Sequence, residues 1–201
     1  MELTALRQRL TGEYTPPEAV AAVASSDDAV GLFEGPLRPA AVLVPVVHGP
    51  DAGVLLTLRT AHLTAHAGQV AFPGGRIDPT DASVEQAALR EANEEIGLDP
   101  AQAELMGRLP AYVTGTGFHI TPVLALLPAW LDLRPSPDEV AAIFTLPLST
   151  LLDPAAPERR SRMFRGKERR FWVWPHAEHY IWGATAGILV QLAARLRAEG
   201  A

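Results

Sequence analysis

The chain has 201 residues, no cysteine and a formal net charge of −6. The absence of cysteine excludes disulfides, zinc–thiolate sites and cysteine nucleophiles, and the acidic balance argues against nonspecific nucleic-acid binding, which needs a basic surface. Apolar stretches are interrupted too early to span a bilayer, and the N-terminus lacks the basic and then apolar pattern of a signal peptide. We therefore expect a cytoplasmic protein of one domain, with no nucleic-acid or membrane partner.

The N-terminal part of the chain is predicted to be an elaboration of this domain. Apolar residues recur at helical spacing within 2–12, which predicts a short helix. Residues 13–36 are rich in Pro, Ser and Asp and read mainly as loop. We therefore expect residues 1–36 to be a helix-and-loop extension and residues 37–201 to form the domain itself.

The domain is predicted to begin with strands. Residues 38–48 and 53–59 are valine- and leucine-rich runs joined by the turn-forming segment HGPDAG, which predicts a β-hairpin. Residues 62–75 are predicted to be strand and loop, ending in a Pro-Gly-Gly turn.

A central helix is predicted over 83–96, because Ser83 is a suitable N-cap and Gly97 stands where a helix commonly ends. The elements expected after it are strands near 103–113, 119–127 and 139–146, a helical turn at 148–152, a hairpin within 162–174 and a closing helix over 183–198. Strands, one helix, more strands and a final helix favour an α+β fold, with helices on both sides of a mixed sheet as an α/β/α sandwich. The order does not repeat βαβα, so a doubly wound nucleotide-binding fold is not expected.

The central helix carries the densest chemistry in the chain. Glu91, Glu94 and Glu95 have the spacing that places side chains on one face of a helix, with Arg90 beside them. Close carboxylates repel one another unless a cation lies among them, and hard divalent ions prefer oxygen ligands. A solvated acidic face is the alternative for such a cluster alone.

Two glycines immediately upstream favour the functional interpretation. Gly74 and Gly75 allow the backbone to approach a ligand or the helix without an intervening side chain. Hydrolysis of a phosphoanhydride requires a cation that neutralises the negative charge of the phosphates, because this charge repels an incoming nucleophile. The combination of glycine turn and acidic helix therefore predicts a metal–phosphate site.

The full string over residues 74–98 is GGRIDPTDASVEQAALREANEEIGL. It resembles the consensus of the Nudix hydrolases, which is a Gly, five residues, a Glu, seven residues, and then Arg-Glu-aliphatic-x-Glu-Glu-x-Gly-aliphatic. The chain departs from it by having Asp81 in place of the first Glu and one extra residue before Arg90. Both departures are similar to the branch of the family that cleaves coenzyme A, which carries GGxxDPxD followed by ALREAxEEIGL.

Further strings resemble the same branch. Residues 55–75 read LLTLRTAHLTAHAGQVAFPGG, which is similar to its upstream signature LLTxRxxxLxxHxGxxxFPGG. The strings TGFHITPVLALL in the region 115–127 and IWGATAGIL at 181–189 are also similar to that branch. The resemblance therefore extends over residues 40–190.

The resemblance implies a hydrolase that depends on Mg²⁺ or Mn²⁺. It implies that Glu91 and Glu95 are the principal metal ligands, that Glu94 assists them, and that Arg90 pairs with a carboxylate to organise the motif. The implied reaction is attack by water on the diphosphate of coenzyme A or its acyl form, releasing 3′,5′-ADP and 4′-phosphopantetheine or acyl-phosphopantetheine. Asp81 replaces a Glu that is usually structural.

Two other functions remain as alternatives. One is a Nudix enzyme that cleaves another nucleoside diphosphate derivative such as ADP-ribose, against which the upstream signature argues. The other is a catalytically silent ligand-binding module, although such modules usually lose the glutamates that this chain keeps. A homodimer is a further alternative to a monomer.

Several further residues have two interpretations each. Arg59 would pair either with a substrate phosphate or with a carboxylate at a strand edge, and His66 would either contact substrate or stabilise a turn. Glu139 is a candidate to join the metal site from a later loop, with a surface position favoured. Phe72 and Pro73 are expected to shape the turn rather than bind adenine.

The aromatic and basic residues near the C-terminus also have two interpretations. Core packing is favoured over a base-stacking platform for Trp172, Trp174 and Trp182. A solvated hairpin is favoured over attraction of the 3′-phosphate of coenzyme A for the basic run, which consists of Arg159, Arg160, Arg162, Arg165, Lys167, Arg169 and Arg170.

Overall fold

The computed structural model describes residues 1–11, 14–21, 33–63, 66–164 and 166–198. Half of the loop predicted over 13–36, namely residues 13 and 22–32, and the residue Arg165 of the basic run lie outside the described residues. In chain order the described residues form α1 (Leu3–Leu10), α2 (Glu18–Ala21), β1 (Arg38–Val47), β2 (Gly53–Arg59), β3 (Val70–Ala71), β4 (Gly74–Arg76), α3 (Val84–Ile96), a 3₁₀ turn (Pro100–Gln102), β5 (Glu104–Arg108), β6 (Tyr112–Val113), β7 (Phe118–Leu127), β8 (Val140–Pro147), α4 (Leu148–Leu152), β9 (Glu158–Phe164), β10 (Lys167–Trp174), β11 (Ile181–Trp182) and α5 (Gly183–Arg197).

The main sheet of the described residues has eight strands and is mixed. Its central path is β3-β2-β1-β7-β5, and β4, β6 and β8 pair with β1, β7 and β2 respectively. Strands β1 and β7 run parallel, whereas their other pairings are antiparallel. The predicted hairpin at the start of the domain is confirmed, because Val46 on β1 faces Val54 on β2.

A second, three-stranded antiparallel sheet has the order β11-β10-β9. Its β9–β10 pair is the hairpin predicted within 162–174, which is confirmed. The predicted closing helix is α5, which follows β11 directly.

The alternation of side chains along β1 separates two cores. Ala41 and Leu43 belong to a buried cluster that contains the apolar face of α3, whereas Val44 and Val46 belong to a second cluster that contains the apolar face of α5. Successive residues of a strand point to opposite faces of a sheet, so the two helices cover opposite faces. This arrangement confirms the predicted α+β fold, an α/β/α sandwich around a mixed sheet.

The N-terminal helix packs on this sandwich. Leu6 and Leu10 are buried in the same core as α5. The buried guanidinium of Arg195 on α5 donates hydrogen bonds to the backbone oxygens of Arg9 (3.1 Å) and Leu10 (2.9 Å) at the C-terminal end of α1. Because the last carbonyls of a helix have no partner within it, these bonds both cap α1 and hold it in place.

Two local predictions were wrong. The segment 103–113 is not one strand but is divided into β5 and β6, with Pro110, which has no N–H to donate to a sheet, between them. The glycines predicted to form a turn, Gly74 and Gly75, instead lie in β4 and pair with Val42 and Ala41 of β1.

None of the helices in the described part of the chain combines the length and apolar character that a membrane span requires.

An ion pair that joins α3 to β5 gives a prediction about acid stability. The guanidinium of Arg108 donates hydrogen bonds of 2.6 and 3.0 Å to the Glu85 carboxylate and lowers the pKa of Glu85 from 4.5 to about 2. Because this pKa is lower in the folded state, the pair stabilises the protein above pH 4.5 and loses that effect as the pH falls toward 2.

We therefore expect Glu85→Gln to lower the free energy of unfolding near neutral pH by at most about 1 kcal/mol, since Arg108 is half exposed. Below pH 4.5 the difference between variant and parent should shrink. Urea unfolding of both proteins at neutral and acidic pH measures this. A constant difference across that range would contradict the assignment.

Candidate active site

The predicted helix α3 has the expected ends. The Ser83 hydroxyl accepts a hydrogen bond from the backbone N–H of Gln86 (3.1 Å), and Gly97 adopts the left-handed conformation (φ +67°) that ends the helix. Ala88 and Ala92 are among the residues of α3 that are buried against the main sheet. These contacts fix the rotation of the helix and therefore the direction in which its charged residues point.

Arg90 is the centre of a charged network on this helix. Its guanidinium donates two hydrogen bonds of 3.0 Å to the carboxylate of Asp81, one of 2.9 Å to Glu91 and one of 3.1 Å to Glu94. The expected pairing of Arg90 with a carboxylate is therefore present. The bidentate bond from Arg90 lowers the pKa of Asp81 and ties the loop before α3 to the helix, which is a structural role for Asp81.

Glu95 is the most buried of the helix carboxylates, with 3 % of its surface exposed. It accepts hydrogen bonds from the backbone N–H of Gly74 (3.2 Å) and from the guanidinium of Arg59 (3.3 Å). Burial nevertheless raises the pKa of Glu95 to about 7, since these two contacts offset only part of the cost of removing the charge from water. The contacts of Glu95 with Gly74 and Arg59 therefore do not fully offset the cost of burying its negative charge.

Glu91 lies against β4, the strand that contains Gly74 and Gly75. A Cβ atom on Gly75 would come within 2.5 Å of the Glu91 carboxylate, so the carboxylate occupies the space that a side chain would fill. Burial raises the pKa of Glu91 against the opposing effect of Arg90, and the charges of Glu94 and Glu139 raise it further. The exposed residue Glu139 also raises the pKa of Glu95, so the loop before β8 brings a further carboxylate near the helix.

A cavity of about 590 Å³ lies between the main sheet and the N-terminal end of α5. Gly74, Gly75 and Arg59 line it, and the same residues contact the acidic helix as described above. Gly74 and Gly75 of β4 are thus a part of the cavity wall without side chains, next to Glu91 and Glu95.

His66 also lines the cavity. It has a left-handed backbone (φ 58°), its carbonyl accepts a hydrogen bond from the backbone N–H of Gln69 (3.2 Å), and its Nδ1 lies 2.9 Å from the side-chain oxygen of Gln69. His66 is therefore part of a turn and at the same time faces the space where a ligand would bind. Phe72 is buried and lines the same cavity.

Comparison with known proteins shows the family to which the chain belongs. The family model described as NUDIX domain matches residues 37–173. The chain is 46 % identical over 159 residues to "Uncharacterized Nudix hydrolase NudL" of Shigella boydii serotype 4 (strain Sb227), a match that covers 79 % of this chain and 83 % of the relative. The chain belongs to the Nudix hydrolase family.

A second relative gives the same result. The relative from Escherichia coli O157:H7 (strain EC4115 / EHEC), also named NudL, has the same identity and coverage. Among solved structures, the Nudix hydrolase RenU from M. Smegmatis is 28 % identical, with 57 % of this chain and 73 % of that chain covered and a TM-score of 0.47.

Nudix hydrolases generally use divalent metal ions, and the donor chemistry of α3 suits one. Glu91, Glu94 and Glu95 offer the carboxylate oxygens that Mg²⁺ and Mn²⁺ prefer, and the incompletely compensated charge of Glu95 fits a nearby cation. Within the ranges that the structure describes, however, no group of three or more acidic or histidine side chains is arranged to hold a metal ion. The side chains are directed instead at Arg90 and Arg59, so assignment of the Nudix metal ligands stays a prediction.

The structure corrects the interpretation of the C-terminal aromatic residues for one position. Trp174 is buried in the core and Trp172 packs against it, as predicted. Trp182 instead lines the cavity. Trp182 is the second residue of the string 181–189 that resembles the coenzyme A branch, which is a sequence signal for this wall.

The prediction that the basic run is a solvated hairpin was wrong for Arg169, which is buried and lines the cavity. Arg162 also lines the cavity but is exposed. Arg159, Arg160 and Arg170 are exposed as predicted. A run of charges along a hairpin does not show which face of the hairpin packs against the rest of the protein. The sequence alone therefore did not distinguish the arginines that line the cavity from the other arginines of the run.

The contact between β4 and Glu91 gives a testable prediction. Gly75→Ala should displace the Glu91 carboxylate and lower kcat by about 10–100-fold, because small misplacements of catalytic groups have effects of this size. The fold should persist, since the end of a Glu side chain can move away. Steady-state kinetics and thermal unfolding measure both effects.

The control for Gly75→Ala is the same substitution in a Glu91→Gln background. If the alanine acts through Glu91, its effect on kcat should largely disappear there. Effects that multiply in the double variant would contradict this explanation.

Proposed function

We propose that this Nudix hydrolase cleaves the diphosphate bond of coenzyme A. The observation that carries the proposal is that Arg59, His66, Gly74 and Gly75, which belong to the signature resembling the coenzyme A branch, line one cavity. Three of these residues also contact the acidic helix. These four residues of the signature share one cavity wall, which supports their proposed role in binding a ligand.

In this reaction water attacks one phosphorus and the bond between that phosphorus and the bridging oxygen breaks. The products are two phosphate monoesters, 3′,5′-ADP and 4′-phosphopantetheine, or acyl-phosphopantetheine from an acyl substrate. A bound Mg²⁺ or Mn²⁺ would neutralise the diphosphate charge and lower the pKa of water. Glu91 and Glu95 would hold the ion, with Glu94 assisting.

The other groups of the site orient these ligands and the substrate. Arg90 restrains Glu91 and Glu94, and the Gly74 N–H together with Arg59 restrains Glu95. The absence of side chains at Gly74 and Gly75 would allow the diphosphate to approach the carboxylates. Arg59 would also donate hydrogen bonds to a phosphate oxygen, for which its planar guanidinium is suited.

The test is to incubate the protein with coenzyme A and Mg²⁺ and to identify the products by mass spectrometry. We expect 3′,5′-ADP and 4′-phosphopantetheine in equal amounts. ADP-ribose is the comparison substrate, and a higher kcat/KM for it would replace the proposed substrate. No turnover of either compound, with Mg²⁺ or Mn²⁺, would favour a ligand-binding module.

A further inference from the structure

Arg162 and Arg169 lie opposite each other on adjacent strands of the small sheet. They are direct partners in the register of β9 and β10, and both line the cavity. Arg169 is 8 % exposed, whereas Arg162 lies at the exposed margin. The next residue, Arg170, is exposed and points to the opposite face of its strand.

This placement concentrates positive charge on one wall of the cavity. Like charges directly opposite each other in a sheet repel one another. The cavity wall nevertheless carries four arginines, and none of the described residues that line it is acidic, although the whole chain has a net charge of −6. The four are Arg59, Arg76, Arg162 and Arg169. A concentration of one sign of charge in a cleft attracts a ligand of the other sign.

The four arginines form two groups. Arg59 on β2 and Arg76 on β4 belong to the main sheet, beside the acidic helix, whereas Arg162 and Arg169 belong to the small sheet. A diphosphate at the acidic helix accounts for the first group only. The second group lines a part of the cavity wall where a different anionic group of the same ligand would lie.

The surroundings of the second group indicate the kind of ligand. The guanidinium of Arg162 lies 5.3 Å from the centre of the Trp182 ring, and the aromatic residues Tyr112 and Phe118 line the same cavity. A ligand that combines an anionic group with a flat or apolar body matches this wall. A nucleotide that carries a phosphate apart from its diphosphate has these properties.

We propose that Arg162 and Arg169 bind a phosphate monoester of the substrate that is separate from the bond that is cleaved. The cavity thus selects nucleotides with an additional phosphate. This inference rests on the proposed function for the identity of the whole substrate, but the phosphate site itself can be tested without hydrolysis.

The first experiment measures binding by calorimetry without divalent metal, using adenosine 3′,5′-bisphosphate and adenosine 5′-monophosphate as probes. The parent protein should bind the bisphosphate about tenfold more tightly or better, because charge-assisted bonds to the second phosphate are added. Arg162→Gln and Arg169→Gln should lose most of this preference. Arg170→Gln, the matched control on the outer face, should keep it.

Equal affinity of the parent protein for both probes would overturn the proposal, and so would an unchanged preference in Arg162→Gln. Arg162 is exposed, so this variant keeps the test valid even if replacement of the buried Arg169 prevents folding.

The second experiment separates the inference from the proposed function. We expect Arg162→Gln to raise KM for coenzyme A about tenfold and to leave KM for dephospho-coenzyme A, which lacks the 3′-phosphate, unchanged. An equal rise for both substrates would overturn the phosphate site while coenzyme A hydrolysis stands. If neither compound is hydrolysed but the preference for the bisphosphate is present, the phosphate site stands and the proposed function fails.

Discussion

Replacement of Glu95 by glutamine should lower kcat by about 10²–10³-fold while the protein stays folded. Glutamine has nearly the same shape, and its oxygen can still accept the hydrogen bond from the Gly74 N–H. It lacks the negative charge with which Glu95 would hold a divalent ion. The loss should therefore appear in catalysis and not in the fold.

Stability is an independent measurement on the same variant. Burial disfavours the charged form of Glu95, since it raises the pKa of that group to about 7. Removal of the charge should leave the midpoint of thermal unfolding unchanged or higher, as is common where a functional group is held at a cost to stability. Loss of activity together with a large fall in the unfolding midpoint would indicate a structural role instead.

Two other replacements on α3 complete this test. Glu91→Gln should lower kcat to a similar extent, because Glu91 is the second principal ligand in the proposed site. Glu85→Gln is the matched control, since Glu85 lies on the same helix but pairs with Arg108, and its kcat should equal that of the parent. Full activity of Glu95→Gln would show that this carboxylate does not hold the metal.

Removal of divalent cations should abolish hydrolysis of coenzyme A, and Mg²⁺ or Mn²⁺ should restore it. The charge on the diphosphate then has no counter-ion at the acidic helix, and Arg90 is already engaged with three carboxylates. Assays after treatment with a chelator, followed by titration with each metal, measure this effect. Activity that persists after exhaustive chelation would contradict a metal-dependent mechanism.

A second measurement follows metal binding without substrate. A ligand that binds only the folded state raises its stability, by about 2.7 kcal/mol at a concentration one hundred times Kd. Saturating Mg²⁺ or Mn²⁺ should therefore raise the unfolding midpoint of the parent protein, and the increase should be smaller for Glu91→Gln and Glu95→Gln. An identical increase in all three proteins would place the ion elsewhere.

The features that the sequence predicts best depend on local chemistry. Helix α3 has its expected ends because the Ser83 cap and the Gly97 stop act within one or two turns. The fold class follows from the order of strands and helices. The ion pair of Arg90 with Glu94 follows from helical spacing alone.

The features that the sequence did not predict depend on distant partners. Gly74 and Gly75 form a strand because β1 offers them hydrogen-bonding partners, which a turn-like Pro-Gly-Gly string does not reveal. The burial of Arg169 depends on the cavity that the small sheet shares with the main sheet. The local composition indicated a turn in the first case and a solvated hairpin in the second, whereas tertiary packing determined both outcomes.

The separation of the two sheets has a consequence for how such a protein can diversify. The carboxylates lie on a helix supported by the main sheet, whereas Arg162, Arg169 and Trp182 project from the smaller one. If Arg162 and Arg169 bind the substrate as proposed, substitutions on the smaller sheet can alter which molecules are accepted without disturbing the chemical step. Selectivity and reactivity are therefore open to independent evolutionary change within one scaffold.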